Sequence, residues 1–390
     1  MKKAFFSMAL AATALVGATF TSCSSDDDVN MNEQIAEIND PFIHFNVKTN
    51  GAVGTRGTAT TASNYLSRIN NFMVWGYFAE GATGTGVVEG ARYVGASDTE
   101  GTVIDGDGAG NWSYHTASDQ AYWPATTAGL NFQAITPASD TSFSITNTPD
   151  EASPWLSHMA AYVTVPAQAS QKDIMFAKTN SAYTSATNGK VVDLTFYHGL
   201  AQVVFQGKTA STKIAATVSE ISIVNVHETG TIGFINADAS LGSSLDGDAD
   251  ASYSIGLVAS PSVTTTTATN LTATDGALFM LPQTVTAWTT TSGSAVTTTA
   301  ANTAHNAYLK IKCTVTSAGV TLIDNDYVYL PFSISWQQGK KYTYTIIFGA
   351  GAGGYNDDGT PLETMLPISY TAAVSAGSDW DAQDAVEYQV

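Results

Sequence analysis

The sequence predicts an all-β protein built from two antiparallel β-sandwich domains in tandem. Three observations carry this. Short apolar/polar alternations recur along the chain between turn residues. No stretch keeps an apolar period of 3.6 over three turns. Thr, Ser, Ala, Gly and Asn, together with Tyr and Phe, fill a chain with only 13% charged residues. Period-2 runs bounded by turns read as strands, and β-branched and aromatic residues suit a pleated sheet. At 390 residues the chain is long enough for about two domains.

The N-terminus reads as an exported leader. Lys2 and Lys3 precede an apolar, Ala-rich run, Ala4 to Phe20. That run falls short of the roughly 20 residues a membrane-spanning helix needs, so it reads as a signal peptide over 1–22. Phe20-Thr21-Ser22-Cys23 resembles the lipobox of bacterial lipoproteins, with Phe where Leu is usual. The resemblance implies a multiply acylated Cys23, and stable anchoring needs more than one chain. Residues 23–40 form an acidic tether. Its Ser24-Ser25-Asp26-Asp27-Asp28 looks like the export signal of surface lipoproteins of the Bacteroidetes.

Charge excludes one class of partner. The net charge of −19 becomes −21 when Lys2 and Lys3 leave with the leader, which carries no acid. Nucleic acid needs Lys and Arg for its phosphates. Beyond Cys23 the only cysteine is Cys313, so no internal disulfide can form. Cys313 alternates with Lys312 and Thr314 and shares a face with Leu309, Ile311 and Val315. That pattern predicts a buried, inert thiol.

A first domain is expected over 41–188. Its opening strand is Phe42 to Val47, with Ile43, Phe45 and Val47 on one face and Phe42, His44 and Asn46 on the other. Both faces are partly apolar, which predicts a strand between neighbours or over a core. A Gly/Thr/Ala loop follows, and it holds Arg56, one of three arginines. Such a loop is a natural protease target. Ile69 to Phe78, Trp112 to Tyr114, Leu130 to Ile135, Tyr162 to Val165 and Asp173 to Ala177 read as further strands. Ser63 to Ile69 could form one short helix.

Polar residues 181–189 mark the boundary, and the second domain spans 189–390. Val192, Leu194 and Phe196 alternate with Asp193, Thr195 and Tyr197 before His198-Gly199-Leu200-Ala201 interrupts them. Strands are expected at 202–205, 221–226, 230–235, 277–281, 307–315, 327–334 and 342–348, with a last one at Val386 to Val390.

Chemical motifs are few. Gly349 to Gly354 matches GxGxxG after a strand, but Asn356-Asp357-Asp358-Gly359-Thr360-Pro361 breaks the helix a dinucleotide needs. Asp105-Gly106-Asp107-Gly108 reads as a solvated turn, since Thr116 stands where a calcium loop closes with Glu. His198 and His227 have acids close in sequence, Asp193 and Glu228. No GxSxG elbow or HExxH accompanies them. Neither a metal nor a cofactor is expected. Trp75/Tyr77, Trp112/Tyr114 and Tyr122/Trp123 could stack on sugars, although strand aromatics more often fill cores.

Taken in order, these features resemble the fimbrillin-like (Mfa-like) proteins of Bacteroidetes, the subunits of type V pili. The matching segments are the lipobox, the strand Phe42 to Val47 followed by Thr55-Arg56, and Val191 to Phe205 with His198-Gly199-Leu200-Ala201-Gln202-Val203. Leu330-Pro331-Phe332, Trp336 to Tyr344 and Asp379-Trp380 also match. The resemblance implies a non-enzymatic subunit of transthyretin-like sandwich architecture, on the outer membrane and in the fimbrium, serving adhesion. It implies cleavage at Arg56, loss of the first strand, and a groove that another subunit's strand fills. Ile43, Phe45 and Val47 would be the pocket-filling side chains. Val386, Tyr388 and Val390 would belong to the donor strand. Partners would be other fimbrial subunits, the outer membrane through the lipid, and a host protein or glycan. A surface glycan-binding lipoprotein of a polysaccharide-uptake system is the alternative, and it predicts an exposed shelf of Trp and Tyr. A glycoside hydrolase is the third reading, and it predicts two convergent carboxylates in a cleft.

Overall fold

The computed structural model describes residues 41–49, 69–124, 129–149, 157–179, 182–184, 186, 191–234, 241–259, 261–289, 297–350, 354–362 and 368–374. Cys23, Arg56, Val386, Tyr388 and Val390, residues 63–68 of the helix expected at 63–69, and the strand expected at 386–390 lie outside them.

The regular structure of the described residues is nearly all strand. The first half holds β1 (His44–Thr49), β2 (Asn71–Phe78), β3 (Arg92–Val94), β4 (Thr102–Gly106), β5 (Trp112–Tyr114), β6 (Leu130–Thr136), β7 (Phe143–Pro149), β8 (Ser157–Thr164) and β9 (Met175–Lys178). Next come β10 (Val191–His198), β11 (Ala201–Thr209), β12 (Ile214–Val226), β13 (Thr229–Gly233), β14 (Gly242–Asp246), β15 (Ala251–Ser254), β16 (Ser262–Val263), β17 (Thr269–Asn270), β18 (Leu278–Met280) and β19 (Gln283–Val285). The chain continues through α1 (Thr298–Thr303), β20 (Tyr308–Ser317), β21 (Val320–Pro331), β22 (Ile334–Trp336), β23 (Lys341–Phe348) and β24 (Ile368–Val374).

Alternation decides which side chains go inside. On β10, Val192, Leu194 and Phe196 are buried while Asp193 and Tyr197 are exposed. On β20, Leu309, Ile311, Cys313 and Val315 are buried and Lys310, Lys312 and Thr314 are not. On β23, Tyr342, Tyr344, Ile346 and Phe348 point into the core. These faces match the sequence expectation, because a pleated strand sends successive side chains to opposite sides.

The largest sheet runs β1-β10-β9-β6-β2-β4-β5, with β3 beside β2. A second sheet runs β17-β11-β23-β24 with β18 on β11, and a third runs β15-β12-β20-β21 with β16 on β12. The fourth is β14-β13-β8-β7, and β19 pairs with β22. Two of these sheets draw strands from both sides of residue 189. β10 joins the first sheet, and β13 and β14 join β7 and β8.

The chain passes from the first sheet to the second at His198-Gly199-Leu200. The Gly199 N–H donates to the Ile174 carbonyl at 2.8 Å. A Cβ at Gly199 would come within 2.7 Å of the Phe176 ring, so the crossing needs glycine. The Thr- and Ser-rich strands β14 to β17, together with β7 and β19, carry too little apolar contrast to be legible in the sequence; β24 does alternate, burying Ile368, Tyr370 and Ala372.

Candidate functional site

β1, with Ile43 just before it, carries the candidate residues Phe45 and Val47. It pairs in parallel with β10, with His44 beside Val191 and Val47 beside Leu194. It lies at the end of the sheet path. On its far side, the described residues hold its start. The Ile43 N–H donates to the Ala121 carbonyl at 2.8 Å, the Trp123 N–H donates to the Pro41 carbonyl at 3.1 Å, and the Tyr114 hydroxyl donates to the Ile43 carbonyl at 2.7 Å.

The inward face of the strand is fully inserted. Ile43, Phe45 and Val47 are 0%, 6% and 1% exposed. They share a core with Phe72, Val74, Phe132, Val192, Leu194 and Phe196. Phe45 stands edge-on to both Phe72 and Phe132, with centroids 5.9 and 5.7 Å away. Each such side chain contributes about 1.5–3 kcal/mol by leaving water. The outward residues Phe42, His44 and Asn46 are half-buried. The Asn46 amide donates to Asp193 at 2.7 Å, and the Lys48 ammonium lies 3.7 Å from the same carboxylate.

Without β1, this core would be left with an apolar slot and the β10 ladder with an unpaired edge. An extended segment with apolar residues at alternate positions would satisfy both. Among its described residues the slot offers aliphatic and aromatic side chains with backbone donors and acceptors.

His198 does not meet Asp193. Its Nδ1 lies 2.9 Å from Asp173 Oδ1, both side chains are buried, and the pair braces the β9–β10 junction. Sequence proximity misled here, because Asp173 reaches His198 only through sheet pairing. The His227 backbone N–H donates to Gln283 Oε1 at 2.9 Å.

Asp105 and Gly106 lie in β4, so the expected turn begins only at Asp107. Asp105 pairs with His115 Nδ1 at 2.6 Å. Asp107 accepts from the Asn111 amide and the Ala109 N–H, and these bonds hold its carboxyl below its ordinary pKa. Among the described residues no group of three His, Cys, Asp or Glu could hold a metal. Cys313 is 1% exposed, and burial pushes its thiol up to about 12. No helix follows the GxGxxG match within residues 354–362.

No aromatic shelf forms from the sequence candidates. Trp75 and Tyr77 are buried, Trp112, Tyr114 and Trp123 are half-buried, and Tyr122 alone of the six is more than a third exposed.

A family model described as fimbrillin-like matches residues 55–364. The chain belongs to the fimbrillin-like family. One solved structure agrees on the fold. A fimbrial protein from Bacteroides vulgatus superposes with a TM-score of 0.54 at 14% identity, over 86% of this chain and 99% of that one. Candidate cell adhesion proteins from Bacteroides ovatus and Bacteroides uniformis give TM-scores of 0.45 and 0.43, at 12% and 13% identity. These cover 88% and 86% of this chain, and 99% and 98% of the others. No curated protein sequence matches significantly. For a fimbrillin-like chain, the family points to a structural pilus or adhesin subunit of the cell surface rather than an enzyme.

Proposed function

We propose that this fimbrillin-like chain is exported as a lipoprotein through Cys23 and assembles into a fimbrium by strand exchange. In this reading residues 1–22 are a cleaved signal and 23–40 a tether. Residues 41–188 bear the slot, and 189–390 form the second domain, whose β10 walls one side of it. A protease cuts after Arg56, β1 leaves, and a strand of a neighbouring subunit occupies the slot. The strand around Val386, Tyr388 and Val390 is the proposed donor. The fimbrium stands on the outer membrane and serves adhesion to other cells, through a host protein or glycan.

The insertion of Ile43, Phe45 and Val47 from a terminal, edge-placed strand carries this reading. β1 is the first strand after the tether, so its removal unthreads nothing. Once the loop at Arg56 is cut, only non-covalent contacts hold it. The vacated slot then exposes apolar surface and ladder groups that water serves poorly, and that drives capture of a replacement.

Limited digestion of the full mature chain with an Arg-specific protease tests the proposal. The expected result is a first cut after Arg56 followed by polymers on size-exclusion chromatography. A chain that is cut there and stays monomeric overturns strand exchange as the assembly step. It leaves the family's pilus or adhesin role standing.

A further inference from the structure

A cavity of about 440 Å³ opens where the chain passes between the first sheet and the fourth. Two connections make that passage: 137–142 runs from β6 to β7, and 165–174 runs from β8 to β9. Asp140, Thr141 and Ser142 line the cavity from the first connection. Thr164, the last residue of β8, and Ser170 and Lys172 beyond it line the other side.

Both walls are fixed. The Thr164 N–H donates to the Ser142 carbonyl at 2.8 Å, which ties one wall to the other. The Ser142 N–H donates to Asp140 Oδ1 at 2.9 Å, which orients the carboxylate. The second wall is pinned through two glutamines. The Gln168 amide donates to the Asp275 carbonyl at 2.6 Å. The Gln171 amide donates to the Pro166 carbonyl at 3.1 Å, and its Oε1 accepts from the Phe279 N–H at 2.6 Å. The cavity is therefore pre-formed, and its volume is that of an ordinary small-ligand site.

Its lining selects a class of ligand. Among the described residues it carries one carboxylate, Asp140, one ammonium, Lys172, and four hydroxyls, Thr141, Ser142, Thr164 and Ser170. Pro166 and Ala169 complete it and add little apolar surface. Neither charged group is held in an ion pair among the described residues. The two charges are opposite, so a ligand of net charge gains from one and loses to the other. An uncharged ligand rich in hydroxyls can use both. A carboxylate only accepts, an ammonium only donates, and each protein hydroxyl does either. Bonds to the two charged groups are the strong ones.

We propose that this cavity binds a neutral hexose. The Asp140 carboxylate accepts from sugar hydroxyls, the Lys172 ammonium donates to them, and Ser142, Thr164 and Ser170 complete the contacts. No lining residue belongs to β1 or to the core that β1 fills. The site gives the glycan arm of the adhesion reading a place, and it stands whether or not the subunit polymerises. Its failure would leave strand exchange untouched.

Calorimetric titration of the full mature chain with glucose, galactose, mannose, sodium glucuronate and alanine tests it. At least one of the three neutral hexoses binds more tightly than glucuronate and alanine. Asp140→Asn keeps an oxygen for the Ser142 N–H and weakens that hexose about tenfold, the worth of one hydrogen bond to a charged group. Lys172→Gln, at an exposed position, weakens it too. Binding of no hexose, tighter binding of glucuronate or alanine than of every hexose, or unchanged hexose binding in either variant overturns the proposal. A second measurement needs no variant. Acylation of Lys172 by an activated ester, read by mass spectrometry, slows when the hexose saturates the chain. Equal labelling with and without the hexose overturns the site.

Discussion

The ring of Phe45 meets the ring of Phe132 edge-on, with centroids 5.7 Å apart and planes at 84°. The contact joins β1 to β6, in the middle of the same sheet. Edge-to-face pairs add about 0.5–1.5 kcal/mol to the area they bury. Phe45 also faces Phe72 and Tyr114, so one side chain touches three strands of the slot.

Phe45→Ala therefore destabilises the intact chain by about 3–5 kcal/mol, the cost of emptying a large aromatic site. Denaturant unfolding measures this. Asn46→Ala, on the half-buried outer face, costs about 0.5–1.5 kcal/mol through the lost bond to Asp193. Equal losses in the two variants would mean that the inward face does not anchor the strand.

Tyr114→Phe deletes the hydroxyl that donates to the Ile43 carbonyl. The expected loss is about 1 kcal/mol, with faster amide exchange along β1 than elsewhere. Hydrogen exchange read by mass spectrometry resolves this. Uniform acceleration over the whole chain would argue that β1 does not open as a separate unit.

A synthetic peptide covering Pro41 to Thr49 competes for the vacated slot after digestion. Polymerisation falls as the peptide rises. The same peptide with Phe45→Asp has no effect, because a carboxylate in an apolar slot loses its hydration without a partner. Equal inhibition by both peptides would separate the slot from assembly.

Cys313 supplies a pH dependence. Its thiol is raised from 9.0 to about 12, chiefly by burial, with the Asp326 carboxylate adding to it. The folded pKa lies above the unfolded one, and the protonated form is the one buried. The contribution to stability is complete below about pH 9 and declines as pH rises toward 12, because the unfolded chain sheds its proton first. Cys313→Ala flattens that part of the stability–pH curve. In the native state the thiol resists alkylation at pH 8 and reacts only on unfolding.

Asp173→Ala breaks the buried bond to His198 and costs about 1–3 kcal/mol, since a polar group is left in the interior without its partner. Thermal unfolding reads the change.

Much of this was legible from residue order. The all-β class, the inward faces of β10, β20 and β23, the buried thiol and the alternation of Ile43, Phe45 and Val47 all follow from local apolar contrast, which is a property of neighbours in sequence. The family resemblance came the same way, from motifs in order. Asp173 as the partner of His198 and β24 beside β23 were not legible.

What the sequence determined by itself is which residues alternate and where turns interrupt them. Long-range packing sets β1 parallel to β10, so that Asn46 meets Asp193 from 147 residues away. It also sets β13 and β14 to complete a sheet begun by β7 and β8. The physical reason is that period-2 patterning sets the face a strand buries but not its neighbour. Partner, direction and register come from long-range packing, where many weak contacts between distant segments select one arrangement.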